Sequence, residues 1–244
     1  MQRYFIKLSY NGANYHGWQM QENAHTVQAE ITDKLSLLLE EKIHIVGCGR
    51  TDTGVHAHEF YAHFEVDDLK ISLKDIVYKL NSFLPSDIVI HDIYRVPGDL
   101  HSRFSATSRT YKYYISIIKD PFNEKTRYYF NGSLDINAMN QACANLYEHT
   151  DFTSFSKLHT QTATNNCIIQ LAKFERIENE LIFTITADRF LRNMVRAIVG
   201  TLFEIGKGKM KAEEINRIIK AKDRSMAGFS VPAHGLFLER VIYP

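Results

Sequence analysis

The chain opens on alternation. From Arg3 to Tyr10 the positions Tyr4, Ile6, Leu8 and Tyr10 share one face, which is the period of a β-strand. A helical period follows, with Thr26 as N-cap and Val27, Ile31, Leu35 and Leu38 recurring through about Glu40. Ile43 to Cys48 reads as a short strand, and His58 to Val66 as another, with Phe60, Ala62, Phe64 and Val66 on one face. Ser72 and Asp75 make a capping-box-like start to a helix through Phe83, striped by Leu73, Ile76, Val77 and Leu80. Pro85 ends it, and Asp87 to Val96 closes the series as a strand.

The second half predicts a similar order. Arg109 to Ile118 is a strand rich in β-formers, and Asp135 to His149 a helix carrying Ile136, Met139, Cys143 and Leu146. Cys167 to Ile177 and Leu181 to Ala187 read as a hairpin turning at Glu178-Asn179-Glu180. A long helix is expected from about Arg189 to Ile205, a shorter one from Lys211 to Ala221, and a last strand from Leu236 to Tyr243. Each half thus reads β-α-β-β-α-β, the ferredoxin-like or RRM-like arrangement, which makes the fold α+β. The expected halves are 1–104 and 105–244, with Pro97 to Ser108 as the crossover. Helices on one face of each sheet would leave the other faces, and a crevice between the halves, for a ligand. RNA is one ligand that such sheets accept, although fold alone does not assign function.

Composition narrows the class. The 244 residues, 45% hydrophobic and 23% charged, are those of a water-soluble globular chain with a sizeable core. Three cysteines without CxxC spacing point to a reducing compartment rather than a disulfide framework or zinc site. The chain begins directly on a strand pattern and holds no run of about 18 apolar residues, so the expectation is a cytoplasmic protein without a signal peptide or membrane span. A net charge of +1 decides nothing about nucleic acid, because a basic face can hide in a balanced total.

One loop concentrates the candidate chemistry. Gly49-Arg50-Thr51-Asp52-Thr53-Gly54-Val55-His56-Ala57 sets a carboxylate between two predicted strands, with an Arg two residues before it and Thr on both sides. Such a carboxylate can act as nucleophile or base, and an ordinary turn uses the same residue types. Other features bear on the choice. His56, His58, Glu59 and His63 suggest metal ligation, but His58-Glu59-x-x-x-His63 misses the H-E-x-x-H spacing and lies in a strand, where residues five apart face opposite ways. Gly206-Lys207-Gly208-Lys209 lacks P-loop spacing and reads as a helix-ending turn.

On the predicted long helix, Leu191, Met194, Val195, Ile198 and Leu202 form the apolar stripe, and Arg189, Arg192 and Arg196 cluster on its flank. Arg196 lies at the apolar boundary, where it needs an acidic partner, and Asp52 is the candidate. Tyr111, among Arg103, Arg109 and Lys112, is either a core aromatic or a platform for a flipped base, and Tyr113 fits the core role. Loop 11–20, which holds Trp18, is either rich in Asx turns or a substrate loop.

Taken together, these residues are similar to a known family. The Gly49–Ala57 stretch resembles the active-site motif of the tRNA pseudouridine synthase A family. Tyr15-His16-Gly17-Trp18-Gln19, Thr26-Val27-Gln28, Phe104-Ser105-Ala106-Thr107, Asp151-Phe152-Thr153-Ser154-Phe155, Met194-Val195-Arg196 and Gly235-Leu236-Phe237-Leu238 resemble it too, in the right order. Asn11 and Ala197 depart from it, where Asp and Asn are common. The resemblance implies conversion of uridine to pseudouridine at positions 38, 39 and 40 of the tRNA anticodon arm, by a homodimer that needs no cofactor and no metal. It implies a continuous, mostly antiparallel sheet built from two halves with the active site in the cleft between them. It assigns three catalytic residues: Asp52 as nucleophile, Arg196 as the basic residue that pairs with that carboxylate and keeps it charged, and Tyr111 as the tyrosine that stacks on the target base and takes part in proton transfer. Arg50 would hold the nucleotide out of the stem, and Arg103 would contact substrate. The rival expectation, a non-catalytic tandem RRM-like RNA-binding protein, calls for exposed aromatics in RNP-type strands, which the sequence does not present.

Overall fold

The computed structural model describes residues 1–157 and 164–244. Its elements run β1 (Gln2–Tyr10), α1 (Val27–Leu39), β2 (Val46–Gly47), β3 (His56–Val66), α2 (Leu73–Phe83) and β4 (Ile88–Val96). The chain continues with β5 (Ser108–Ser116), β6 (Tyr128–Tyr129), α3 (Ile136–Asn145), β7 (Ile169–Ile177), β8 (Glu180–Ala187), α4 (Met194–Gly206), α5 (Glu214–Ala221) and β9 (Leu236–Ile242). The fold is α+β. Two compact units divide it: Met1–Thr107 with Phe237–Pro244, and Ser108–Leu236. The last strand, predicted in line with the second half, therefore groups with the first unit. Its pairing is the physical reason, since β9 runs parallel to β3 with His56 opposite Phe237 and Ala57 opposite Leu238.

In the first unit β1 is central, antiparallel to both β3 and β4. Tyr4, Ile6 and Leu8 are buried together with Phe60, Ala62 and Phe64 of β3, as the alternation predicts. The opposite face is aromatic as well. Phe5 is covered by Tyr61, His63, Tyr94 and Tyr243, with ring centroids 5.2–6.3 Å away. Helix α1 starts where Thr26 accepts a hydrogen bond from the Ala29 amide, and α2 where Ser72 accepts one from that of Asp75. The strand expected over 43–48 shortens to β2, while Ile43, Ile45 and Cys48 are still buried.

The second unit stacks β7, β8 and β5 as an antiparallel sheet, with β6, absent from the sequence reading, parallel to β5. The hairpin between β7 and β8 turns at Glu178 and Asn179, with Glu178 at φ +52°. Edge strands in both units are tied down by the same device. Asn81 of α2 makes hydrogen bonds to both backbone groups of Ile90 on β4, and Asn140 of α3 does the same to Phe174 on β7. Backbone groups left unpaired at a sheet edge invite a foreign strand, so these contacts blunt the edges.

The long helix starts later than expected. It runs from Met194, not from about Arg189, because Asn193 takes a left-handed conformation at φ +67°. Arg189 and Arg192 therefore precede the helix and do not share a flank with Arg196. The stripe itself stands: Leu191, Met194, Val195, Ile198 and Leu202 are all buried. The expected start of the last helix at Lys211 also moves, to Glu214.

His63 links the fold to pH. It is buried on β3, with Nδ1 2.8 Å from the hydroxyl of Ser102, whose hydroxyl also donates to the Val46 carbonyl. Burial, then the neighbouring His101 and Arg3, lower its pKa to about 4. The unfolded chain thus binds a proton near pH 6.5 that the folded chain refuses until about pH 4. Stability should be fully present above pH 6.5 and fall by roughly 3 kcal/mol across that window, at about 1.36 kcal/mol per unit. Urea titrations from pH 8 to 4 check this, and His63→Asn should flatten the slope by close to one proton.

Candidate active site

The loop bearing Asp52 is braced by residues of the first unit. Thr51 is buried, and its hydroxyl lies 2.8 Å from that of Tyr10 on β1. Its carbonyl accepts a hydrogen bond from the Trp18 amide at 3.3 Å. The Val55 amide donates to the Asp52 carbonyl at 3.1 Å, closing a turn over Asp52-Thr53-Gly54-Val55, and the Gly54 amide donates to Tyr15. Gly17 fits against this loop so closely that a Cβ would stand 2.4 Å from the Thr51 carbonyl oxygen, and its φ of +87° also suits glycine. The loop is fixed on both flanks, and Asp52 itself is half-buried.

The same contacts anchor loop 11–20. Trp18 and Tyr15 are each 1% exposed, and Trp18 stacks on Phe60 at 4.1 Å. Burying an aromatic ring of 150–250 Å² is worth about 4–6 kcal/mol at roughly 25 cal/mol per Å². Two such rings hold the loop in place, while Asn11, Asn14, His16 and Met20 stay exposed. Asn11, one of the departures from the family pattern, accepts a hydrogen bond from the Ala13 amide and so starts the short 3-10 turn Gly12–Asn14.

The histidines around this loop serve separate tasks. His56 accepts a hydrogen bond from the Gly12 amide at Nδ1 and stacks on Phe237 at 4.5 Å. His58 meets Glu239, and His63 meets Ser102. Arg50, at the near side of the loop, is exposed. Arg103, also exposed, lies over the ring of Phe104 at 5.4 Å.

Arg196 and Tyr111 belong to the second unit. Arg196 is half-buried on the first turn of α4, where Nε donates to the Val231 carbonyl at 2.7 Å and its own carbonyl accepts from the Val231 amide at 3.2 Å. Segment 227–231 can reach the helix because Gly200 presents no side chain: a Cβ there would stand 1.7 Å from the Phe229 carbonyl oxygen. The segment is braced by Arg224, which donates to the Gly228 carbonyl and the Ser230 hydroxyl. The arginine is thus aimed by a backbone clamp that helix periodicity does not reveal. Gly200 and Gly228, where a Cβ would collide, are its trace in the sequence, but glycine by itself does not point to a clamp.

Tyr111 is half-buried on β5, edge-on to Phe190 with ring centroids 5.1 Å apart. Two residues along the strand, Tyr113 is fully buried and donates its hydroxyl proton to the Pro232 carbonyl at 2.8 Å, as a core tyrosine. Burial, with Tyr128 nearby, raises the Tyr113 pKa, and the charge of Arg196 acts in the opposite direction. Of the two tyrosines, Tyr111 is the one that keeps part of its ring in solvent.

Comparison with known proteins identifies the family. A family described as tRNA pseudouridine synthase matches residues 7–105 and 142–244, which include Asp52, Arg50, Arg103 and Arg196. A protein named tRNA pseudouridine synthase A from Parabacteroides distasonis is 53% identical over 244 residues, covering 100% of this chain and 97% of its own length. Its namesake in Bacteroides thetaiotaomicron is 50% identical over 247 residues, covering 100% and 91%, and that of Clostridium acetobutylicum 39% identical over 240 residues, covering 98% of each. On this full-length similarity, the chain belongs to the tRNA pseudouridine synthase family.

Proposed function

We propose that this protein isomerises uridine to pseudouridine in the anticodon arm of tRNA, at positions 38, 39 and 40. The observation that carries the reading is the match to synthases along the whole chain, including the loop that holds Asp52. The reaction breaks the N1–C1′ glycosidic bond, turns the uracil and joins C5 to C1′. The proton on C5 is released and N1 gains one, with no net oxidation or hydrolysis. A carboxylate held in place is the group such chemistry needs, because positioning converts an encounter into a step within one complex.

In this reading Asp52 is the nucleophile, and Arg196 from the second unit pairs with it and fixes its direction. Tyr111 stacks on the target base, with the edge of Phe190 behind it. Arg50 keeps the nucleotide out of its stem, where extrusion costs a few kcal/mol. Arg103 contacts the RNA. The pinned backbone of the Asp52 loop, the clamp on Arg196 and the part-exposed ring of Tyr111 support these roles. The working form is a homodimer in the cytoplasm. The family resemblance supports the dimer, and three buried, unbridged cysteines suit a reducing compartment. Among the described residues, no helix is long and apolar enough to cross a membrane.

The test is position-resolved pseudouridine mapping of tRNA from cells lacking the gene. Loss of the modification at 38–40, restored by the intact gene, is the expected result. Unchanged modification in those cells would contradict the assignment.

A further inference from the structure

Phe104 has an environment that the reaction scheme does not use. Its side chain is 76% exposed, although it sits in a tightly bonded segment of the first unit. The His101 ring accepts hydrogen bonds at Nδ1 from the Arg103 and Phe104 amides, at 3.0 and 3.3 Å. The His101 amide donates to the Ser105 hydroxyl, and the Ser105 amide returns a bond to the His101 carbonyl. Ser102, fully buried, ties the segment to Val46 and His63, and Arg3 donates to the Leu100 carbonyl. The exposed ring is therefore presented by a rigid base.

Its neighbours favour a specific kind of visitor. The His101 ring lies 4.5 Å from Phe104 at 38°, and the Arg103 guanidinium is 5.4 Å from its centroid. Burial, and then the charges of Arg3 and Arg103, lower the pKa of His101, and the two guanidinium groups place the imidazole in a positive field. A flat ring with most of its surface in water, braced by a tilted imidazole and flanked by guanidinium, has the features of a nucleobase platform with a phosphate contact beside it. A protein partner would bring carboxylates to these guanidinium groups instead, and an aliphatic one would gain nothing from the aromatic face.

We propose that Phe104 is a stacking platform for an unpaired nucleobase of the tRNA, distinct from the base that Tyr111 receives, with Arg103 beside it on the phosphate backbone. This inference rests on the synthase reading and extends it to a second nucleotide. Stacking of one base typically changes affinity by about tenfold or more.

The experiment measures tRNA affinity and turnover for the wild-type protein, Phe104→Ala, Phe104→Leu and Phe104→Trp. Ala and Leu should each weaken binding about tenfold or more, while Trp retains it, because stacking needs a π-face. Melting temperatures should stay close to wild type, since the ring is exposed. A photoreactive phenylalanine analogue at position 104 should cross-link to an unpaired nucleotide of the tRNA. Wild-type affinity in Phe104→Ala, or in Phe104→Leu, would overturn the platform, as would a cross-link to a second copy of the chain. A wild-type protein that neither binds nor modifies tRNA would instead overturn the synthase reading. Normal turnover with an indifferent Phe104 would overturn the platform alone.

Discussion

Replacement of Asp52 by alanine is expected to lower pseudouridine formation by at least about 10⁴-fold while tRNA affinity stays within a few-fold of wild type. Loss of a nucleophile typically costs this much or more, and the residual rate reflects binding alone. The separation of turnover from binding follows from the loop. Its shape comes from the Tyr10–Thr51 hydroxyl contact, the Trp18 amide and the seat at Gly17, none of which involves the Asp52 side chain. Truncating that side chain removes chemistry and leaves the scaffold. Asp52→Asn should behave in the same way, since it keeps the volume and loses the charge. Turnover and filter-binding measurements on the same preparations check both variants. Appreciable turnover in either would remove Asp52 from the mechanism.

The second large effect is at Arg196. Arg196→Met should reduce turnover by roughly 10²–10³-fold, the range seen when a single charge-stabilising donor is lost from a preorganised site. It should also lower stability, because the Val231 carbonyl loses the donor at 2.7 Å, and an unsatisfied carbonyl costs about 1–3 kcal/mol. The two consequences can be separated. Arg196→Lys keeps the charge but not the planar fork, and should recover part of the rate. If the role of Arg196 were only to hold segment 227–231, then rate would follow stability across Met, Lys and Gln. The expected pattern is that charge orders the rates and melting temperature does not. Normal turnover in a folded Arg196→Met variant would remove the proposed Asp–Arg pair.

Much of the fold was legible because the core alternates cleanly. Tyr4, Ile6 and Leu8 and the stripe Val27, Ile31 and Leu35 are buried where the periodicities put them, and Thr26 and Ser72 cap the helices they were expected to cap. The errors fall where a single backbone angle outweighs pattern. Arg189 to Arg192 continue the apolar periodicity of α4, but a left-handed Asn193 starts the helix at Met194, so the expected triad of arginines on one flank does not form. Nothing in composition or spacing encodes that angle. Strand β9 was found, but its parallel pairing to β3 was not, because that pairing is a long-range event with no local signal.

The site divides in the same way. The Asp52 loop could be singled out because a carboxylate, an arginine and flanking glycines are compressed into nine residues. The clamp on Arg196 could not, since it joins positions 35 residues apart through backbone atoms. Loop 11–20 left two readings open; Asn11 does form an Asx-type turn, and Tyr15 and Trp18 anchor the loop in the core. Phe104 was legible as part of a motif, but its exposure was not, because a hydrophobic residue in a loop is as readily buried as presented.

The central claim, that this chain moves uracil from N1 to C5 through Asp52, has a direct chemical readout. Pseudouridine formation replaces the C5–H bond, so tRNA labelled with tritium at uridine C5 releases label to water as the product forms. Incubated with unmodified tRNA, a chelator and no added cofactor, the purified wild-type protein should release tritium in step with modification at positions 38–40, and Asp52→Ala should release none above background. Equal release by both proteins, or no release by either from a tRNA they bind, would contradict the account.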